Sequence, residues 1–273
     1  PAGKGARRGG RPMTGRMSIR RRRLGRYRNS HGELWVNVTS SHLVLAEYVN
    51  LDRGPYPALA AAYPAVRWLP GALRPLGAPL AWASRLPLTP RSSRLPAPPG
   101  GPRRSSGDDR MAVLRQMWEA RRRAVLARHR LRAPLPFEAG TVDHLLCSHV
   151  LQLLPPRAVG GVLADYARVL RPGGTLHVIL PDLRFAVERY VHGDIDADEL
   201  VAWQRLRAPA DSPALARLAA AFAGDRLHRW MYDTHSAERR LVSAGLKIAD
   251  VATPSSWVRG DDPGSLHLVA VRP

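Results

Sequence analysis

Three positions in this chain have the residue types that proton transfer and ligand holding need, each at the end of an apolar run. His149 directly follows Val142–Cys147, whose polar exit is Ser148-His149. Histidine titrates near neutrality, so one at the mouth of a buried segment can take a proton from a hydroxyl or an amine. The same position suits a histidine that bonds the backbone where the next element begins. Asp182 closes the run Thr175–Leu180 and Pro181. It can orient His149 or a bound acceptor, and it also has the residue type of an N-cap for a helix starting near Leu183. Asp52 ends the short run Glu47–Asp52. His228 and Tyr232 can reach an acceptor pocket or pack as an aromatic cluster, while His144 and His177 alternate within strands and read as structural or solvent-facing. Cys147 is the single cysteine. It excludes an internal disulfide and, inside an apolar run, reads as a small core residue. No histidine or cysteine spacing matches a zinc site.

These side chains are useful only if the surrounding elements bring them to one place. Pro155-Pro156 opens a helix in which Val159, Val162, Leu163, Tyr166, Val169 and Leu170 recur at helical spacing, and Gly173-Gly174 is expected to stop it. With strands before and after it, Val142–Cys147 and Thr175–Leu180, this is a parallel, right-handed crossover unit. Upstream, Glu33–Thr39 reads as a first strand, with Leu34, Val36 and Val38 on one face and Trp35 on the other. Glu47–Asp52 reads as the second strand, Asp109–Ala127 as a helix-forming run, and Ala124–Leu131 as the third strand. Downstream come a helix at Leu183–Tyr190, an acidic insert at Asp194–Glu199 and a helical stretch to Ala223. A helix at Thr234–Ala244, stopped by Gly245, then leads to two final strands, Leu246–Ala252 and Leu266–Val271.

The central block, "PLPFEAGTVDHLLCSHVLQLL" followed by "YARVLRPGGTLHVILPDL", resembles the second half of class I S-adenosylmethionine (SAM)-dependent methyltransferase domains. Their segments run "lPF…s.D.v…hvLeh" and "RvLrPGG.l.i..Pd". "HRWMYDTHSAERRLVSAGLKIADV" resembles the end of the same domains, of the type 11-like group that includes sugar and polysaccharide enzymes. The resemblance implies an α/β fold. This is a doubly wound, Rossmann-like seven-stranded sheet of order 3-2-1-4-5-7-6, its last strand antiparallel, with helices on both faces.

The resemblance also implies a SAM site. Asn37, Val38, Thr39, Ser40 and Ser41 occupy the stretch that reads "lNlGsG" in such proteins, and Asp52 takes the acidic position that binds the ribose hydroxyls. Thr39 and Ser41 stand where glycines are expected for positive φ and close backbone approach. Their hydroxyls can instead bond the ligand's amino-acid end, or the site is lost. Arg130 stands where an aspartate would receive the adenine amine. Arginine accepts no hydrogen bond, so adenine must be met by backbone around Arg130 and Leu131. Doubly wound sheets bind ligands beyond the carboxyl ends of their strands. That rule puts Thr39–Ser41, Asp52, Arg130, Ser148, His149 and Asp182 along one rim.

The net charge of +20 is unevenly distributed: residues 1–133 hold 27 Lys and Arg against 6 Asp and Glu, and 40 of the chain's 42 basic residues are Arg. With abundant Ala, Pro and Gly, this reads as codon bias rather than a polyanion site. Nucleic acid nonetheless stays open as a partner, and so does peripheral contact with an anionic membrane. Residues 1–30 read as a disordered basic tail, without the apolar segment of a secretory signal, and a cytoplasmic location is expected. Met13 and Met17 are each candidate starts. Residues 31–273 read as one domain with a Pro/Arg-rich insertion at about 53–110, too rich in proline and arginine to span a membrane.

Three functions follow from this reading. The chain is a SAM-dependent methyltransferase for a small-molecule or glycan-type acceptor, a catalytically impaired binding protein on the same scaffold, or an RNA-directed methyltransferase. A nicotinamide cofactor fits less well, because the turn after the first strand lacks Gly-x-Gly-x-x-Gly.

Overall fold

The structure is a computed structural model, and it describes residues 27–38, 43–52, 124–204 and 228–273. Positions 39–42, residues 1–26 of the basic tail, residues 53–123 with the Pro/Arg-rich insertion and most of the helix expected before the third strand, and residues 205–227, which hold the rest of the helical stretch to Ala223, lie outside the described residues. Seven strands form one sheet of order β3-β2-β1-β4-β5-β7-β6. They are β1 (Trp35–Val38), β2 (Tyr48–Asp52), β3 (Val125–Arg128), β4 (Val142–Ser148), β5 (Leu170–Pro181), β6 (Lys247–Ile248) and β7 (Ser265–Val271). β1 to β5 are parallel, and β7 runs antiparallel to both β5 and β6. The expected strand order holds.

The helices are α1 (Pro156–Val169), α2 (Leu183–Val191), α3 (Ala197–Gln204) and α4 (Thr234–Ser243). α1 starts as its sequence dictates, with Pro156 in the first turn, where the missing N–H costs nothing. Its apolar stripe, Val159, Val162, Leu163, Tyr166 and Val169, is buried. Fully burying each such side chain contributes about 1.5–3 kcal/mol. α4 is set by a capping box, in which the Asp233 carboxylate accepts from Ser236 N at 2.7 Å and Ser236 Oγ meets Asp233 N at 3.1 Å.

Strand alternation sorts the two faces of the sheet. One face presents Val36, Val38, Val49, Leu51, Leu145, Cys147, Leu176, Val178, Leu180, Leu266 and Leu268 to the main core, together with residues of α1 and α4. The other carries Trp35, Asn37, Tyr48, Asn50, His144, Leu146, His177, Ile179 and His267. Among the described residues it is covered by loop residues Leu43, Leu45, Ser255 and Val258. A buried face this polar is stable only where each group finds a partner.

Two expectations shift. The helix ends at Val169, not at Gly173-Gly174, and Leu170 already belongs to β5. Pro172 disfavours helical backbone at Arg171, so the chain leaves the helix early and the glycines shape an irregularity in the β4–β5 ladder. Gly173 has φ +72°, and a Cβ on Gly174 would lie 2.9 Å from Arg171 O and 3.0 Å from Val142 O, so neither position tolerates a side chain. The penultimate strand shrinks from Leu246–Ala252 to Lys247–Ile248. Beyond it the chain leaves the sheet edge and crosses the polar face, where Ser255 is fully buried.

Candidate functional site

The parallel registers put the expected site residues on one level. Val38 pairs with Leu51 and with Cys147, so Asp52 and Ser148, each one residue further on, stand level at the carboxyl edge on either side of β1. Asp52 in turn pairs with Arg128, and Ser148 with Ile179. Asp52 and Ser148 sit on strands that flank β1, roughly 10 Å apart at normal strand spacing. From β1 the chain builds outward through β2 and β3 on one side and through β4 and β5 on the other. The topological switch point therefore falls at the β1–β4 boundary, where a doubly wound sheet opens its ligand crevice.

Asp52 is 3% exposed and lies on the polar face with Tyr48 and Asn50. Its carbonyl accepts from His129 N at 3.0 Å, which ties the start of the β3 loop to the end of β2. His129, buried beside this edge, has no place in the sequence reading, which looked for an acceptor one residue later. Arg130 is exposed. Its carbonyl accepts from Ala133 N at 2.9 Å in a turn, which leaves that oxygen one lone pair for a ligand. Leu131 packs against the main core.

Only nine residues separate β1 from β2, and a polar clasp takes the place of a crossover helix. Asn37 Nδ2 donates to Leu43 O at 2.8 Å and to Asn50 Oδ1 at 3.0 Å. Asn50 Oδ1 also accepts from Leu45 N at 3.0 Å, and its Nδ2 donates to Leu45 O and Tyr48 O. Both amide protons of Asn37 are used. Its side-chain donors thus anchor the returning chain. Thr39, Ser40 and Ser41 lie outside the described residues, between Val38 and this clasp. Asn50 is a site-shaping residue that the sequence reading passed over, although a buried-type strand interrupted by a single Asn was a visible signal.

His149 has φ +53°, uncommon for a residue with a side chain. Its backbone N–H donates to Ile179 O at 2.8 Å, and its Nε2 lies 3.3 Å from Ser265 Oγ. Burial, then the nearby Arg259 guanidinium, hold its pKa down to about 3, with Asp262 opposing. It is therefore neutral at physiological pH, rather than titrating near neutrality as its residue type suggests. The Asp182 side chain accepts from Arg184 N at 3.0 Å and caps α2. Its backbone N–H donates to Gly264 O at 2.9 Å. His149 and Asp182 are thus linked through one turn, residues 262–265. Tyr232 is buried under the Arg240 guanidinium, 5.6 Å from the ring centroid, and belongs to the core. Cys147 is fully buried with its thiol pushed up to about 12, as an inert core cysteine should be.

His144 and His177 face the buried polar side. His144 Nε2 and His177 Nδ1 each lie 2.8 Å from Ser255 Oγ, His144 Nδ1 lies 2.8 Å from Thr175 Oγ1, and His177 Nε2 lies 3.1 Å from His267 Nδ1. They are structural, as one of the two expectations had it. Among the described residues no three His, Cys, Asp or Glu side chains converge as a metal site would require. No helix among the described residues is long and apolar enough to cross a membrane.

Comparison with known proteins agrees with this architecture. Residues 109–178 match the family described as methyltransferase domain. No curated protein matches the sequence. Among solved structures, a SAM-dependent methyltransferase from Methanosarcina mazei is 12% identical, with 88% of this chain and 92% of that one covered at a TM-score of 0.43. A complex of the Trm112 methyltransferase activator with a putative methyltransferase from Haloferax volcanii gives 12% identity, 89% and 82% coverage, and a TM-score of 0.42. An O-methyltransferase family protein from Burkholderia thailandensis gives 11%, 91% and 52%, and 0.40. At these TM-scores the likenesses add nothing to what the strand order and the family match already carry. The family match covers residues 109–178, and the strand order is the one the resemblance to class I SAM-dependent methyltransferases implied.

Proposed function

We propose that this protein, whose sheet is that of the class I methyltransferases and whose residues 109–178 match their domain, transfers a methyl group from SAM to a small-molecule or glycan-type acceptor. The observation that carries the reading is the common level of Asp52 and Ser148 at the carboxyl ends of β2 and β4, on either side of β1 at the switch point. The residues present fit the cofactor there. A carboxylate ending β2 suits a ribose diol, and the turn 39–41 can offer hydroxyls and backbone N–H groups to the amino-acid end. Backbone around Arg130 and Leu131 would meet the adenine edge, and Ser148 stands level with Asp52. When bound, SAM supplies an electrophilic methyl group on a sulfonium.

The protein's share of such a reaction is alignment and exclusion of water, with a hydrogen-bond acceptor for the group that receives the methyl. His149, neutral and next to Ser148, suits that last role. Asp182 supports it by fixing the start of α2 rather than by touching the reacting atoms.

Calorimetric titration with S-adenosylhomocysteine tests the reading. The wild type binds, and Asp52→Asn weakens binding at least about tenfold, or 1.4 kcal/mol. Absence of any binding by the wild type overturns it. A second reading, a binding protein on this scaffold, is favoured by the exposed Arg130 at the adenine position. It predicts binding of the same strength with no methyl transfer from labelled SAM to any hydroxyl or amine acceptor.

A further inference from the structure

The geometry points to Asp262 and Ser265 as positioning residues that lock His149 in its Nε2–H form, so that Nδ1 faces the methyl acceptor as a hydrogen-bond acceptor only. Ser265 Oγ donates its only hydrogen to Asp262 Oδ2 at 2.9 Å, the charge-assisted partner within reach. Oγ can then only accept from His149 Nε2, 3.3 Å away, so Nε2 must carry the hydrogen. A neutral imidazole has one N–H, which leaves Nδ1 with a lone pair and no hydrogen. Nδ1 has no protein partner among the described residues.

The turn that delivers this chain is itself held from several sides. Asp262 Oδ1 accepts from Gly264 N at 3.1 Å, and Ser265 N donates to Asp262 O at 3.0 Å. The Arg259 guanidinium pairs with the same carboxylate, 3.4 Å from Asp262 Oδ2. Gly264 O holds Asp182 N, and Ser265 begins β7 opposite Pro181. On the other side, the bond from His149 N to Ile179 O holds His149 at its positive φ. Arg259, His228 and His267 also lie close enough to favour a neutral ring.

This deepens the methyltransferase reading and rests on it for the identity of the bound molecule. An acceptor-only nitrogen selects a methyl-receiving atom that bears a hydrogen, an O–H or an N–H. It disfavours a carboxylate, whose oxygens would meet a lone pair.

The test is long-range proton–nitrogen correlation NMR on the full chain labelled with 15N-histidine, with the His149 signals assigned by their loss in His149→Gln. The expected pattern near pH 7 is a pyrrole-like Nε2 and a pyridine-like Nδ1. In Ser265→Ala the two shifts move toward each other as the tautomers mix, and Ser265→Thr, which keeps the hydroxyl, restores the separation. Circular dichroism of each variant checks that it has folded. A pyridine-like Nε2 in the wild type overturns the assignment, as does an unchanged pattern in a folded Ser265→Ala. The tautomer is read without cofactor, so failure of S-adenosylhomocysteine to bind would sink the methyltransferase reading and leave this result standing.

Discussion

Arg171 Nε lies 2.6 Å from Asp143 Oδ1, and the other oxygen of the same carboxylate accepts from Leu34 N at 2.8 Å. One aspartate therefore ties the entrances of β1, β4 and β5 together. Arg168 acts in a similar way, donating to Phe137 O at 3.0 Å and pairing with Asp165, whose carboxylate also accepts from Leu135 N at 2.6 Å. The motif residues that mark the family in this sequence hold the sheet together at its amino edge. The proposed cofactor site lies at the opposite edge.

Asp143→Ala should cost about 1–3 kcal/mol in urea denaturation, because Leu34 N loses a partly buried, charge-assisted partner. Arg171→Ala should cost less, since that side chain is nearly half exposed. The double variant should show a coupling of about 0.5–1 kcal/mol. S-adenosylhomocysteine affinity, measured where all variants remain folded, should not change.

Asn50→Ala should behave differently. It strips acceptors from Leu45 N and Asn37 Nδ2 in a buried setting, which costs roughly 2–6 kcal/mol at about 1–3 kcal/mol per orphaned donor. The clasp brackets the turn 39–42, so loosening it adds an ordering cost to ligand binding. Calorimetry at low temperature should show affinity for S-adenosylhomocysteine about tenfold weaker than wild type, a loss of 1.4 kcal/mol. Unchanged affinity would mean that the clasp does not shape the cofactor turn.

Stability should fall with acid. Burial lowers the pKa of His144 from 6.5 to about 3 and that of His177 from 6.5 to about 4. Between those values the unfolded chain binds more protons than the folded one, so lowering the pH through this window favours unfolding, and above about pH 7 these residues contribute no slope. At pH 5 each histidine should cost about 2 kcal/mol relative to pH 7. Denaturation midpoints at pH 7, 6 and 5 measure this, and His144→Gln should remove its part of the slope.

The sequence by itself determined the α1 stripe, the cap at Asp182 and the inert character of Cys147, each of which depends on local pattern: apolar spacing, a Pro at a helix start, an acidic residue before a helical run. The strand order was legible only through the family resemblance, and the cap at Asp233 was not foreseen. The early end of α1 was legible too, from Pro172, but the requirement for glycine at 174 was not, because it comes from Val142 O on a neighbouring strand. Nor did the sequence reveal the Asn37–Asn50 clasp or the Ser255 bridge between His144 and His177, whose partners lie up to 111 residues apart. His149 shows the division most clearly. Its position after β4 was legible from an apolar run and a polar exit. Its charge and tautomer were not, because burial, Arg259 and the Asp262–Ser265 pair decide them, and those groups reach His149 only when β7 closes against β5.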